Sequence, residues 1–160
     1  MLALHKGQPK LMNLRQMLDY YIDFQVEIIT RRTIFDLRKA KERAHILEGL
    51  VIAQDNIDEV IEIFRSSKVV AEARERLMAR FDLSEEQASA IAQMTLARLT
   101  GLERDKLIEE LTQLRALIEE YEALLADEQK ILAVVKEELL ELKEEYGDER
   151  RTSIQMVSGE

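Results

Sequence analysis

The residues that most often perform acid–base or metal chemistry are few in this sequence or stand in unsuitable patterns. His5 and His45 are the only histidines, and neither has a second histidine or a cysteine at ligand spacing. His45 lies between two apolar residues, so we expect it to pack or to form a hydrogen bond between helices. Neighbouring carboxylates such as Glu137 and Glu138 fall on a charged helix face that offers no pocket to shift their pKa values. We therefore predict no catalytic and no metal-binding residue.

Nucleotide-binding motifs are absent too. Neither G-x-x-x-x-G-K-[ST] nor G-x-G-x-x-G occurs among the five glycines, so we predict no cofactor site in this chain. Each of the four tyrosines could in principle be a nucleophile. However, Tyr21, Tyr121 and Tyr146 fall on the apolar helix seams described below, so core packing explains them better.

Basic residues are concentrated in one short stretch, at Arg31, Arg32, Arg38, Lys39, Lys41 and Arg43. One interpretation is ion pairing with acidic residues of a returning helix, namely Glu119, Glu120, Glu122, Asp127 and Glu128. The other is transient contact with DNA phosphates, for which the candidates are Arg31, Arg32, Arg38 and Lys39. The sequence leaves both interpretations open.

Composition limits the classes of protein to which the chain can belong. The net charge of −9 disfavours independent binding of DNA or RNA, because the phosphate backbone repels a polyanion. There is no cysteine, hence no disulfide and no thiolate metal site. No apolar run is long enough to cross a membrane, and the first residues do not resemble a secretory signal. We therefore expect a cytoplasmic protein.

Two stretches carry apolar residues at alternating steps of three and four, which keeps one stripe of a helix facing a partner. The first predicts a helix over 14–53. Its ladder is Leu11, Leu14, Leu18, Tyr21, Gln25 and Ile28, then Leu37, Ala40, Ala44, Leu47 and Val51. Gly49 inside it costs about 1 kcal/mol relative to alanine. The second ladder runs from Leu107 to Tyr146 with one polar member, Glu128, and predicts a helix over 102–146.

The two predicted helices have matched lengths of about 60 and 67 Å, at ~1.5 Å per residue. They can fold back on each other and leave the middle of the chain at the far end. We therefore predict an all-α homodimer, each chain a long antiparallel two-helix coiled coil with a small helical tip. Its parts are an irregular segment 1–13, an outgoing arm 14–53, a tip 54–100, a returning arm 101–147 and a linker or tail 148–160.

Short helices with recognisable starts are predicted in the tip. Asn56, Ser67 and Ser84 each precede a helical run, and Thr100 with Glu103 forms a capping box for the returning arm. The last apolar residues of the tip have little of the chain to cover them, and a two-fold dimer would bury them. The predicted interface consists of Ala88, Ile91, Ala92, Met94, Thr95, Leu96, Leu99 and Thr100.

Four linked strings closely resemble the coiled-coil region of the A subunits of bacterial DNA gyrases, which are type IIA topoisomerases. The first is 4–10, the second combines 31–40, 43–50 and 55–61, the third combines 87–88, Met94, Leu96 and 99–103, and the fourth is 147–152. The strings Leu-Thr-Gly-Leu-Glu at 99–103 and Gly-Asp-Glu-Arg-Arg-Thr at 147–152 favour gyrase over topoisomerase IV. In two places the sequence departs from the family. Phe24-Gln25 replaces the usual His-Gln or His-Arg, and Thr95 stands where Met-Arg-Leu is usual, which alters the expected tip contact.

The resemblance implies that the chain is the exit gate, or C-gate, of an ATP-dependent enzyme that supercoils DNA by double-strand passage. The tips would form the primary dimer interface, and a DNA segment would leave when they separate. Mg²⁺ and ATP would be bound elsewhere in the parent, whose partners would be duplex DNA and the gyrase B subunit. No tyrosine here matches the family's nucleophile motif, so the segment itself would perform no catalysis. The alternatives are a stand-alone coiled-coil adaptor and the same segment of the topoisomerase IV A-type subunit.

Overall fold

A computed structural model describes residues 1–94 and 100–155. The chain forms two compact units, one of Met1–Thr30 with Asp127–Glu160 and the other of Arg31–Ala126. In chain order the elements are β1 (Leu2–His5), β2 (Gln8–Leu11), α1 (Leu14–Asp55), α2 (Ile57–Ser66), α3 (Val70–Phe81), α4 (Glu85–Ala92), α5 (Gly101–Ala126) and α6 (Glu128–Tyr146). The described residues are thus mostly helical, as predicted.

The first residues form an antiparallel hairpin rather than the predicted irregular segment, so the all-α prediction misses one small element. β1 and β2 pair in a register that places His5 opposite Gln8. Lys6 and Gly7 between them both have positive φ, of 51° and 76°. A two-residue turn with positive φ at both positions matches the right-handed twist of paired strands. Lys-Gly is a weak form of this turn signal, which explains why the sequence did not reveal the hairpin.

The outgoing helix α1 is continuous through the Arg31–Arg32 pair and extends two residues beyond its predicted end. Its start is capped as expected: the Gln16 amide donates to the Asn13 side chain at 2.9 Å, and the Asn13 amide donates back to Gln16 at 3.1 Å. This reciprocal pair satisfies backbone donors that the first turn would otherwise leave open.

In the second unit, the centre of the predicted α1 seam is buried, whereas its end members Leu37 and Val51 are only half-buried. Ala40, Ala44 and Leu47 are buried, and Leu47 is completely inaccessible. Ala44 and Leu47 share one core with Leu107 and Leu111 of α5, which belong to the predicted seam of the returning arm. The same core continues into the tip helices through Val60, Ile63, Ala73, Leu77, Leu83 and Ile91. Arm and tip are therefore packed around one apolar core.

In the first half of α1 the predicted seam is wrong. Leu14, Leu18 and Tyr21 are 63%, 54% and 42% exposed, whereas the buried side chain is Ile29, at 1%. Charges occur here only at positions 15, 19, 23 and 27, a single row at steps of four. Because apolar residues flank this row on both sides, periodicity alone could not decide which face is covered.

The returning arm is two helices rather than one. α5 ends at Ala126, and the backbone of Asp127 is extended. The Asp127 carboxylate accepts a hydrogen bond from the Gln129 backbone amide at 2.9 Å. This cap begins α6, because an aspartate at such a position offers the backbone an alternative to continuing the helix. In α6 the buried residues are Ile131 and Val135. The predicted seam positions Leu142 and Tyr146 are 48% and 72% exposed.

Candidate dimer interface and basic surface

A closed capping box begins α4, the helix that leads toward the predicted interface. The Gln87 amide donates to the Ser84 hydroxyl at 3.3 Å, and the Ser84 amide donates to the Gln87 side-chain oxygen at 3.0 Å. The predicted start at Ser84 is therefore confirmed. At Asn56, in contrast, the side chain makes no cap and donates instead to the Ile52 carbonyl of the preceding helix.

The box residues also contact α1. The side-chain nitrogen of Gln87 donates to the His45 carbonyl at 2.6 Å, and His45 Nε2 lies 2.7 Å from the Ser84 hydroxyl oxygen. Gln87 is 5% exposed, so its amide group is buried with both ends bonded. His45 thus forms a hydrogen bond between helices, as the sequence suggested.

Gly49 lies one turn along α1 from His45, directly beneath Gln87. A Cβ at Gly49 would stand 2.8 Å from both Cβ and Cγ of Gln87. Real carbon atoms do not approach so closely without a bond, so the absence of a side chain lets α4 lie against the α1 backbone. The glycine that looked like a weak point of the helix has a packing reason.

Glu86 has an electrostatic link to the same cluster. The pKa of its carboxyl is lowered from its ordinary value of 4.5, chiefly because its own backbone N–H bonds to it and then because the Ser84 hydroxyl does. The positive charge that His45 can carry lowers the pKa further. An acid in the first turn of a helix also faces the positive end of the helix dipole.

Burial divides the predicted interface residues into three groups. Ala88 and Ile91 are 0% and 3% exposed, so they belong to the core of a single chain, and the expectation that the chain cannot cover them is wrong. Ala92 and Met94 are half-buried and Thr100 is exposed, which leaves them accessible to a partner. The remaining predicted positions, Thr95, Leu96 and Leu99, lie outside the described residues.

Leu102 is an accessible apolar residue outside the predicted interface set. It lies in the first turn of α5 and is 77% exposed, close to Thr100. The sequence did contain a sign of this exposure: Leu102 precedes Leu107 by five residues, so it does not fit the three-and-four spacing of the Leu107–Leu111 seam. A single exposed leucine is ordinary on a protein surface, so Leu102 is relevant here only because it lies beside Thr100 of the predicted interface.

Part of the basic cluster is occupied by ion pairs between α1 and α5. Lys41 Nζ lies 2.6 Å from Glu122, a partner named from the sequence. Arg43 contacts both carboxylate oxygens of Glu110, at 2.8 and 3.2 Å. Arg115 with Glu48 and Arg104 with Asp55 extend this ladder toward the tip. The predicted pairing is therefore confirmed for Lys41 with Glu122, whereas Arg43 pairs with Glu110, which lies outside the acids named from the sequence.

The other end of the cluster has a different environment. Arg38 is 3.9 Å from Glu42 of its own helix, and both side chains are more than half exposed. The Arg38 guanidinium and the Lys39 ammonium lie 5.5 and 5.7 Å from the centre of the Phe35 ring. Phe35 and Ile34 are 50% and 53% exposed. Arg31 and Arg32 are also exposed. Cations and apolar groups thus share one solvent-facing surface.

The tyrosines only partly follow the prediction. Tyr121 is half-buried, but Tyr21 and Tyr146 are exposed and do not pack in a core. Tyr20 stacks on His5 with ring centres 3.9 Å apart, which ties α1 to the hairpin. Across residues 1–94 and 100–155, no cluster of three histidine or acidic side chains has the geometry to hold a metal ion. The same residues include no helix long and apolar enough to span a membrane.

The family profile and the individual relatives that match this chain all belong to the same protein family. The family profile for the A subunits of DNA gyrase and topoisomerase IV matches residues 1–140. The chain is 57% identical over 154 residues to the DNA gyrase A subunit of Halalkalibacterium halodurans, a match that covers 96% of this chain and 18% of that protein. It is 53% identical over 160 residues to the Clostridium acetobutylicum protein of the same name, a match that covers 100% of this chain and 19% of that protein. It is 55% identical over 153 residues to the DNA gyrase A subunit of Brachyspira hyodysenteriae, a match that covers 96% of this chain and 18% of that protein. The chain spans about a fifth of the length of these relatives.

Proposed function

Because this chain belongs to the family of DNA gyrase and topoisomerase IV A subunits, we propose that it is the exit-gate segment of a gyrase A subunit. Two copies meet through their tips, and a DNA segment is released when the tips separate. The parent enzyme supercoils DNA in the cytoplasm by ATP-dependent strand passage. Its partner is the gyrase B subunit, with Mg²⁺ and ATP bound outside this segment. The segment contributes association and no catalytic residue.

The observation that carries this proposal is the braced arm that ends in a packed tip. Ion pairs join α1 to α5 at intervals, from Lys41 with Glu122 to Asp55 with Arg104. Each exposed pair contributes only about 0–1 kcal/mol, but together they fix the register in which the apolar seams meet. The core shared by arm and tip means that force on the arm reaches the tip. A gate has this mechanical requirement.

Accessible residues at the end of the unit supply a surface for the second copy. Ala92 is the last residue of α4 and Met94 follows shortly after it; both are half-buried. Thr100 and Leu102 lie at the start of α5 and are exposed. Small side chains such as Ala92 permit close approach, and large ones such as Met94 and Leu102 supply apolar area to bury.

Sedimentation of the 160-residue chain tests the tip contact. We expect a dimer, and Leu102→Glu should weaken it at least tenfold, since hot-spot truncations cost about 2 kcal/mol or more. Val70→Glu is the matched control: it also places an acid in the first turn of a helix of this unit, at a residue 58% exposed. A chain that stays monomeric, or equal dissociation constants for both variants, would refute the assignment. Ile91 is unsuitable for this test because a charge there would disrupt the core.

The three named relatives are all gyrase A subunits, which favours gyrase over topoisomerase IV as the parent. The membership of the family removes the reason to prefer a stand-alone adaptor.

A second proposal concerns the surface of Ile34, Phe35, Arg38 and Lys39, continued by Arg31 and Arg32. We infer that it makes transient contact with duplex DNA. Lys41 and Arg43 are occupied by acids of α5, whereas Arg38 and Lys39 flank an exposed aromatic ring. Cations bind phosphates and apolar side chains can rest on sugars, so the combination suits a weak, sequence-independent contact. The chain's overall charge of −9 keeps this contact weak.

Retention of a short duplex at low ionic strength tests this contact. The double variant Arg38→Ala/Lys39→Ala should bind several-fold more weakly, and the slope of log K against log salt should fall by up to about 2, at ~0.9 for each lost phosphate contact. Lys106→Ala/Lys130→Ala removes the same charge elsewhere and should change little. Equal losses in the two double variants, or no retention by the parent chain, would eliminate the proposal.

A further inference from the structure

Two kinds of interaction hold α4 on the arm, and they differ in what they can specify. Ala88 is fully buried and Ile91 lies in the core that arm and tip share, and such burial supplies free energy but has no preferred direction. α4 has only eight residues, too few for a stable helix by itself. Its rotation and register on α1 therefore need directional bonds.

Gln87 supplies the directional bonds. Its side-chain oxygen accepts from the Ser84 amide and closes the cap, while its nitrogen donates to the His45 carbonyl on α1. That carbonyl also receives the regular helical bond of α1, and the glycine at 49 leaves it open to a second donor. Ser84 adds a second link through its hydroxyl to His45. The start of α4 is thus bonded to a single turn of α1.

We propose that Gln87, seated on Gly49, is a positioning residue that locks α4 to the arm, so that the tip surface around Ala92 and Met94 is presented in one orientation. This inference rests on the proposed dimer contact. It implies that the gate opens by separation of two rigid tips, and that α4 does not peel away from its own arm.

Gln87→Glu separates the lock from the cap. A glutamate keeps the acceptor for the Ser84 amide but has no N–H to give the His45 carbonyl. Amide hydrogen exchange within α4 should accelerate about tenfold, while α1 and α5 amides keep their rates. The dimer dissociation constant should rise about tenfold, which corresponds to about 1.4 kcal/mol. Gln113→Glu makes the same chemical change at an exposed position of α5 and is the control.

Gln87→Met covers the case in which the glutamate variant fails to fold, because methionine fills a similar volume without either hydrogen bond. If the parent chain dimerises but Gln87→Glu and Gln87→Met leave its dissociation constant unchanged within twofold, the lock is refuted and the gate proposal stands. If the parent chain never dimerises, the gate proposal fails, and the exchange rates of α4 still decide the lock. Unchanged exchange in α4 in both variants would also overturn it.

Discussion

Replacing Gly49 by alanine should destabilise the chain, although the same change in an ordinary helix does the opposite. Alanine in a helix interior is favoured over glycine by about 1 kcal/mol. At position 49 the added Cβ would meet Cβ and Cγ of Gln87 at 2.8 Å and Cδ at 3.2 Å. Cβ is bonded directly to the backbone of α4, so it cannot move unless the helix moves.

The expected magnitude follows from these opposing effects. Overpacking of a buried contact costs about 1–3 kcal/mol, which exceeds or cancels the gain in helix propensity. We therefore expect a net loss of about 0–2 kcal/mol in the free energy of unfolding. Gly101→Ala is the control, because no atom of the described residues lies within 4 Å of a Cβ built there. It should stabilise the chain by about 0.4–1 kcal/mol.

Urea unfolding followed by far-ultraviolet circular dichroism measures both variants. The double variant Gly49→Ala/Gln87→Ala adds a coupling test: without Cγ and Cδ of Gln87, the penalty of Gly49→Ala should shrink by at least about 0.5 kcal/mol. A Gly49→Ala chain more stable than the parent, or a penalty that is the same in both backgrounds, would show that α4 does not lie on this part of α1.

Three further predictions test other parts of the structure. Leu47→Ala should cost about 2–5 kcal/mol in urea unfolding, because Leu47 is fully buried, whereas Leu18→Ala, at a residue 54% exposed, should cost less than about 1 kcal/mol; similar losses would mean that the seam is misassigned. Asp127→Ala should remove the cap of α6 at a cost of about 1 kcal/mol and accelerate exchange of the Gln129 amide; an unchanged rate would argue for one continuous returning helix. The folded-state pKa of Glu86 is lowered, so its ionised carboxylate stabilises the fold at pH values above the unfolded-state pKa. This stabilisation is lost as the pH falls through the folded-state pKa. Glu86→Gln should therefore lose less stability than the parent below about pH 4.5, and an identical acid limb would contradict the assignment.

The sequence by itself determined the features that depend on neighbouring residues. Helix starts at Asn13 and Ser84 were predictable because a capping box is complete within four residues. The seam of Ala40, Ala44 and Leu47 was predictable because polar residues surround it and leave one apolar face. The family was predictable because long strings of residues, taken in order, carry it.

Only the tertiary structure decided the features that depend on a distant partner. Between Leu14 and Ile29 the helix has two apolar faces, and which one is covered depends on a segment about a hundred residues further along the chain. Ile91 looked like an interface residue until the tip core was seen to enclose it. From the sequence, Gly49 was only a residue of low helix propensity inside α1. Its packing role became visible when Gln87 was found against it, because a close approach depends on both helices and cannot be predicted from either one alone.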